Sequence, residues 1–269
     1  IRVQSAEAFF DDRCLNFQSL GVHDSLTRAV NAIGITMPSV IQAKVIPGVL
    51  QKKNVLITGT AGTGKTMAYL IPVIQNMLSM PNTIKIPNSP KIAIITPTKE
   101  LAWQLGKVLD DLASSLPIKY KVVTGGSIKR KILQLEAADF DILVGSHGAL
   151  SKFITAGAFN FSLLESIVFE EVDMLISENF AGQVKYILRK MQVENESGNI
   201  IPKQLIFVAG LLPPSLLNTI QSEYTISDVS DTSEDYVNHL LPHIRHEFHR
   251  INKLQKPNRL LELLRQKKR

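Results

Sequence analysis

Cysteine is nearly absent from the chain: Cys14 is the only one in 269 residues. No intrachain disulfide can form, thiolate metal clusters are excluded, and a reducing intracellular setting, the cytoplasm, is expected. No apolar run reaches the length of a membrane span, and the opening residues lack the basic-then-apolar order of a secretory signal. There is no internal repeat and no low-complexity tract. A general excess of basic charge is lacking too, although the formal net charge is +6. Residues 243–269 hold nine Lys/Arg against two Asp/Glu, while everything before them holds twenty-one against twenty-two. The body is balanced, so a basic face for nucleic acid must be local. The histidines at 239, 243, 246 and 249 have no carboxylate pattern around them, and no metal site is read there. The chain opens on Ile1 and closes on Arg265-Gln266-Lys267-Lys268-Arg269, which reads as a piece of a longer protein whose targeting information lies elsewhere.

What is present begins with one stretch. The apolar run Val55-Leu56-Ile57 leads into Gly59-Thr60-Ala61-Gly62-Thr63-Gly64-Lys65-Thr66, and an apolar-periodic helix follows. Strand, Gly-x-x-x-x-Gly-Lys-Thr and helix in that order make a phosphate-binding loop. The glycines let backbone N–H groups curl around a phosphate, and the helix adds its dipole and free N–H groups. Lys65 places a point charge beside the β- and γ-phosphates, and Thr66 offers a hydroxyl to Mg2+.

Around this stretch, short apolar runs alternate with helical patterns. Helices are expected after Asp24-Ser25, stopping at Gly34, and from Met37-Pro38-Ser39 up to Pro47. Strands are expected at 92–95, 120–123, 141–145, 166–169 and 204–208, with loops at 79–90 and 193–199. This predicts an α/β fold, a doubly wound parallel sheet with helices on both faces, occupying residues 1–235. Ligands of such sheets sit at the strand C-termini, where the unusual residues fall. Residues 227–235 read as a polar, acidic connection, 243–251 as a weak strand and 258–266 as a short helix. Residues 236–269 are either a linker with the truncated start of a second domain or an extension docked on the body.

The run Ser166-Ile167-Val168-Phe169 closes on Glu170-Glu171-Val172-Asp173. Beside a phosphate loop, a carboxylate at a strand end holds Mg2+ and the next orients the attacking water. Glu170 takes the first role and Glu171 the second; otherwise the run is an ordinary acidic loop. Glu170 is longer than the usual Asp, which burdens turnover more than binding.

With these motifs placed, the chain resembles the first RecA-like domain of a DEAD-box RNA helicase across most of residues 9–213. Gly34-Ile35-x-x-Pro38-Ser39-Val40-Ile41-Gln42, with Phe17 lying 25 residues before Gln42, is similar to the adenine-reading Q motif. The resemblance implies that Gln42 reads the adenine edge and Phe17 packs at the base. Gly59 to Thr66 matches motif I, with Gly59 and Ala61 where Ala and Thr are usual. Pro97-Thr98-Lys99-Glu100-Leu101-Ala102 is similar to Pro-Thr-Arg-Glu-Leu-Ala, and Gly125-Gly126 to the RNA-backbone Gly-Gly pair. It implies RNA contacts at Thr98, Lys99, Gly125, Gly126, Ser146 and Gly148, with Lys129 a further candidate; helix caps and tight turns explain the same residues without RNA. His147 is read as a solvated loop histidine and Trp103 as a packed or partly exposed aromatic.

The departures from the pattern bear on activity. Ser146-His147-Gly148-Ala149 replaces Thr-Pro-Gly-Arg, Glu170 replaces Asp, and Val208-Ala209-Gly210 replaces Ser-Ala-Thr with both hydroxyls gone. The resemblance implies ATP and Mg2+ as cofactors, RNA as substrate, protein partners in a ribonucleoprotein complex, and a second RecA-like domain that supplies arginines. The rival expectation is a catalytically degenerate RNA-binding or protein-interaction scaffold, similar to helicase-like modules in germline Tudor proteins of small-RNA pathways.

Overall fold

The computed structural model describes residues 16–80, 86–126, 139–176, 181–192, 203–210, 212, 217–218, 220, 228–231 and 247–266. Those up to 231 belong to one compact unit, and those from 247 onward to another. The expected loop at 193–199, Lys129, and the boundary at 235–236 lie outside the described residues.

In the first unit, seven strands form one sheet: β1 (Val55–Thr58), β2 (Ile92–Thr96), β3 (Tyr120–Val123), β4 (Ile142–Ser146), β5 (Ser166–Phe169), β6 (Gln204–Ala209) and β7 (Asp228–Asp231). Their order across the sheet is β3-β4-β2-β5-β6-β1-β7, and every pairing is parallel. Strands in a parallel sheet are buried on both faces, so they read as continuous apolar runs. The side-chain period of two sends alternate residues to opposite cores. Val55, Ile57, Ile92, Ile94, Ile206 and Val208 face a core shared with α1 (Asp24–Ala32), α2 (Val40–Leu50), α3 (Lys65–Leu78) and α4 (Lys99–Ala113). Leu56, Ala93, Ile95, Ile167, Phe169 and Phe207 face the other, with α5 (His147–Thr155), α6 (Val172–Leu175) and α7 (Ala181–Met191). This is the doubly wound, two-faced architecture expected from the sequence. Phe169 and Phe207, neighbours on β5 and β6, stack with ring centroids 5.1 Å apart.

Four expectations change. The helix expected to stop before Pro47 continues to Leu50. Proline removes one helical hydrogen bond, but buried Val45, Ile46 and Val49 hold this helix against the core on both sides of it. Residues 228–231, read as a connection, form the edge strand β7, parallel to β1 from Val55↔Asp228 to Thr58↔Asp231. In the second unit, the described part of the expected strand, 247–251, takes no strand conformation. Helix α8 (Lys256–Gln266) follows, starting two residues earlier than expected, with Leu260, Leu261 and Leu264 more than half exposed.

Candidate functional site

Parallel pairing sends the C-termini of all strands to one rim. There β1 delivers Gly59–Thr66 and β5 delivers Glu170 and Glu171, with β6 and its Ala209–Gly210 end between them. β2, β3 and β4 carry Thr98–Lys99, Gly125–Gly126 and Ser146–Gly148 to the other half of the same rim. One sheet order thus separates the phosphate-loop residues from the RNA candidates and keeps each group contiguous.

The loop is held from outside by α2. Ser39 caps that helix in a reciprocal box, its N–H donating to Gln42 Oε1 at 2.9 Å. Such a cap satisfies two orphan N–H groups and contributes on the order of 1 kcal/mol. The same two residues reach the loop: Ser39 Oγ donates to the Thr63 carbonyl at 2.9 Å, and Gln42 Nε2 to the Gly64 carbonyl at 3.2 Å. Gly64 has φ +94°, and a Cβ there would lie 2.6 Å from Gln42 Nε2, so backbone conformation and close approach both call for glycine. Thr60, Thr63 and Thr66 are half-buried while Ala61 and Gly62 are exposed at the tip. Lys65 Nζ donates to the Gly59 and Thr60 carbonyls, the latter at 2.7 Å, so the loop holds its own cation. Burial pushes the Lys65 ammonium below the ordinary lysine range, against the pull of Glu170, Asp173 and Glu171.

Glu170 is buried, and burial raises its carboxyl above the ordinary range despite hydrogen bonds from Tyr69 and Thr66 and the charge of Lys65. Glu171 is exposed beside it, in the left-handed region at φ +49° and ψ +54°, one of three described non-glycine residues with positive φ. One carboxylate is therefore fixed in the interior and the next presented to solvent, a division that suits a cation-side group and a water-side group. Among the described residues no cluster of three or more metal-ligating side chains forms. Glu170 with the Thr66 hydroxyl is a hard-oxygen pair of the kind Mg2+ uses when phosphates and water complete its shell, so the residues fit that ion.

Other expected residues fare differently. Gln42 is buried with both amide atoms engaged, so its link to the loop is on view while any link to a base is not. Phe17 is wholly buried in the core and offers no open ring face at a base; spacing along the chain placed it without revealing its burial. His147 is buried as the first residue of α5, because β4 runs into that helix with no intervening loop. Thr98 caps α4 by accepting from the Leu101 N–H at 3.2 Å, and Lys99 is exposed, 3.7 Å from Glu100. Gly125 and Gly126 are exposed beyond β3; Ser146 and Gly148 are half-buried. Trp103 is 56 % exposed on α4. Ala149, where the family pattern has arginine, is buried. Asp173 has one carboxyl oxygen buried without a hydrogen-bond partner and sits on α6, which packs against β6. The residue that sequence reasoning missed is Tyr69, whose hydroxyl donates to Glu170 Oε1 at 2.7 Å. Its signal was available: Tyr69 lies three and four residues after Thr66 and Lys65, on their helix face.

A parallel sheet with helices on both faces, a phosphate loop after β1 and a carboxylate after β5 defines a RecA-like P-loop domain. The family model described as DEAD/DEAH box helicase matches residues 39–209. The chain belongs to that family. It is 28 % identical over 267 residues to human "Probable ATP-dependent RNA helicase DDX28", covering 94 % of this chain and 49 % of the relative. It is 33 % identical over 171 residues to Escherichia coli "ATP-dependent RNA helicase SrmB", covering 64 % of this chain and 38 % of that one. The crystal structure of a DEAD box protein from Methanococcus jannaschii superposes with a TM-score of 0.65 at 24 % identity, over 93 % of this chain and 63 % of that one. The chain spans half or less of the length of these curated relatives. It is an N-terminal RecA-like core of a DEAD-box helicase, and these relatives lend no support to the Tudor-protein scaffold.

Proposed function

We propose that this chain binds ATP and RNA and forms one half of the machinery with which a longer protein remodels RNA or RNA–protein complexes at the expense of ATP. The observation that carries the reading is the convergence of Gln42, the Gly59–Thr66 loop, Glu170 and Glu171 at one stretch of the sheet's rim. The loop N–H groups and Lys65 take the phosphates, and Lys65 must exchange two carbonyls for them. Thr66 and Glu170 would hold Mg2+, which would supply charge neutralisation at the phosphates, and Glu171 would orient the attacking water. Thr98, Lys99, Gly125, Gly126, Ser146 and Gly148 take RNA phosphates through small side chains and backbone N–H groups, with no reading of bases.

The partners that follow are single-stranded or locally duplexed RNA, a second RecA-like domain beginning near residue 236, and proteins of a ribonucleoprotein complex. Support for that division comes from the separate unit to which residues 247–266 belong. No helix among the described residues is long and apolar enough to cross a membrane, and an intracellular, cytoplasmic location accords with one cysteine. Calorimetry with ADP and GDP, each with and without Mg2+, tests the site: ADP should bind more tightly. Equal affinities would remove Gln42 from base recognition, and no binding of either would remove the nucleotide site.

A further inference from the structure

Helix α3 presents three side chains to the end of β5: Lys65, Thr66 and, one turn on, Tyr69. Tyr69 is fully buried, as is most of Glu170, and its hydroxyl donates to Glu170 Oε1 at 2.7 Å. The Thr66 hydroxyl also hydrogen-bonds that carboxylate. A glutamate has one more rotatable bond than an aspartate, and a metal-side carboxylate with an extra torsion loses its aim. A rigid ring, packed on all sides and holding one oxygen, removes that freedom. An ionised carboxylate accepts at about four lone-pair positions, so two donors leave positions for a cation or its water. Tyr69 itself has no surface to touch a ligand.

Building on the nucleotide-site reading above, we propose that Tyr69 is a positioning residue for Glu170: its hydroxyl fixes the long carboxylate in the orientation that receives Mg2+. Tyr69 and Glu170 then work as a pair, and the aspartate that the family pattern carries at this position would have no use for the hydroxyl, being too short to reach it.

The test is ADP affinity of the chain across a Mg2+ titration, with EDTA as the zero point. Tyr69→Phe deletes a single atom from a buried ring and keeps its packing. The Mg2+ concentration giving half the gain in ADP affinity should rise about tenfold or more, the usual cost of losing a partner behind a metal ligand. Affinity in EDTA should stay unchanged. In a Glu170→Asp background, Tyr69→Phe should produce no further shift. The proposal is overturned if Tyr69→Phe leaves the Mg2+ requirement alone, weakens binding equally in EDTA and Mg2+, or shifts the requirement as much beside Asp as beside Glu. A parent chain that gains no ADP affinity from Mg2+ overturns the metal role of Glu170, and this proposal with it; a gain that Tyr69→Phe does not touch overturns only the role of Tyr69.

Discussion

At the scale of single residues, the proposed nucleotide site turns on Lys65. Its ammonium is already hydrogen-bonded to the Gly59 and Thr60 carbonyls, so phosphate replaces partners rather than filling a void. Replacing Lys65 with Ala removes a charge-assisted contact of about 1.5–3 kcal/mol, which corresponds to ADP binding roughly ten- to a hundredfold weaker; titration calorimetry reads it directly. The direction of its pKa adds a second expectation. Burial lowers the pKa of the unliganded lysine, so the proton is lost at a pH below 10.5, the value of a free lysine. Affinity requires the charged form, hence it should begin to fall on the alkaline side before a free lysine would titrate. Lys65→Arg, which keeps its proton throughout, should bind with a flatter pH profile even if more weakly. A parent profile flat beyond pH 10.5 would contradict the assignment.

At the scale of elements, β1, β2, β4, β5 and β6 were legible because burial on both faces demands unbroken apolar runs, and α1, α3 and α4 because one apolar face repeats at helical spacing. β7 was not. Asp228-Val229-Ser230-Asp231 has one apolar residue, and the strand owes its existence to backbone pairing along the open edge of β1, which leaves no mark in side-chain pattern. The site was legible where a motif has a mechanism, as in Gly59–Thr66, and opaque where burial decides: nothing in the spacing of Phe17 or His147 says that either faces inward. Tyr69 read as one more apolar helix position because its partner lies 101 residues away. Helix α8 carries a prediction of its own. Phe248 and Leu254 are 80 % and 89 % exposed and the leucines of α8 are half-open, so little packing protects this segment. Eleven residues make a marginal helix without a partner surface. Hydrogen exchange should find its amides among the fastest of the described residues; slow exchange would mean that the leucines are covered in solution.

At the scale of the whole molecule, the phosphate and cation ligands proposed above lie on the rim, whereas among the described rim residues there is no arginine, and Ala149 stands buried where the family pattern has one. An arginine inserted at that stage of phosphoryl transfer is worth on the order of 10³–10⁵ in rate. The chain alone should therefore bind Mg–ATP while turning it over barely above background, with little stimulation by single-stranded RNA. Glu170→Asp should recover little, since the larger deficit lies elsewhere. A longer protein carrying an intact second RecA-like domain should recover far more from the same change. Steady-state ATPase assays on both proteins decide this: brisk RNA-stimulated turnover by residues 1–269 would refute the half-site account, and a longer protein inert even with Glu170→Asp would favour a degenerate module.

The left-handed backbone at Glu171 has an outcome in the laboratory evolution of this molecule. An L-residue with a side chain loses about 1–2 kcal/mol in that conformation, whereas glycine there forfeits only about 0.5–1 kcal/mol of chain entropy. A library of position 171 screened for heat resistance alone should enrich glycine, with a melting temperature a few degrees higher. The same library screened for ATP turnover, in a protein long enough to have it, should return glutamate. Fold and chemistry would then be seen voting for different letters at one codon.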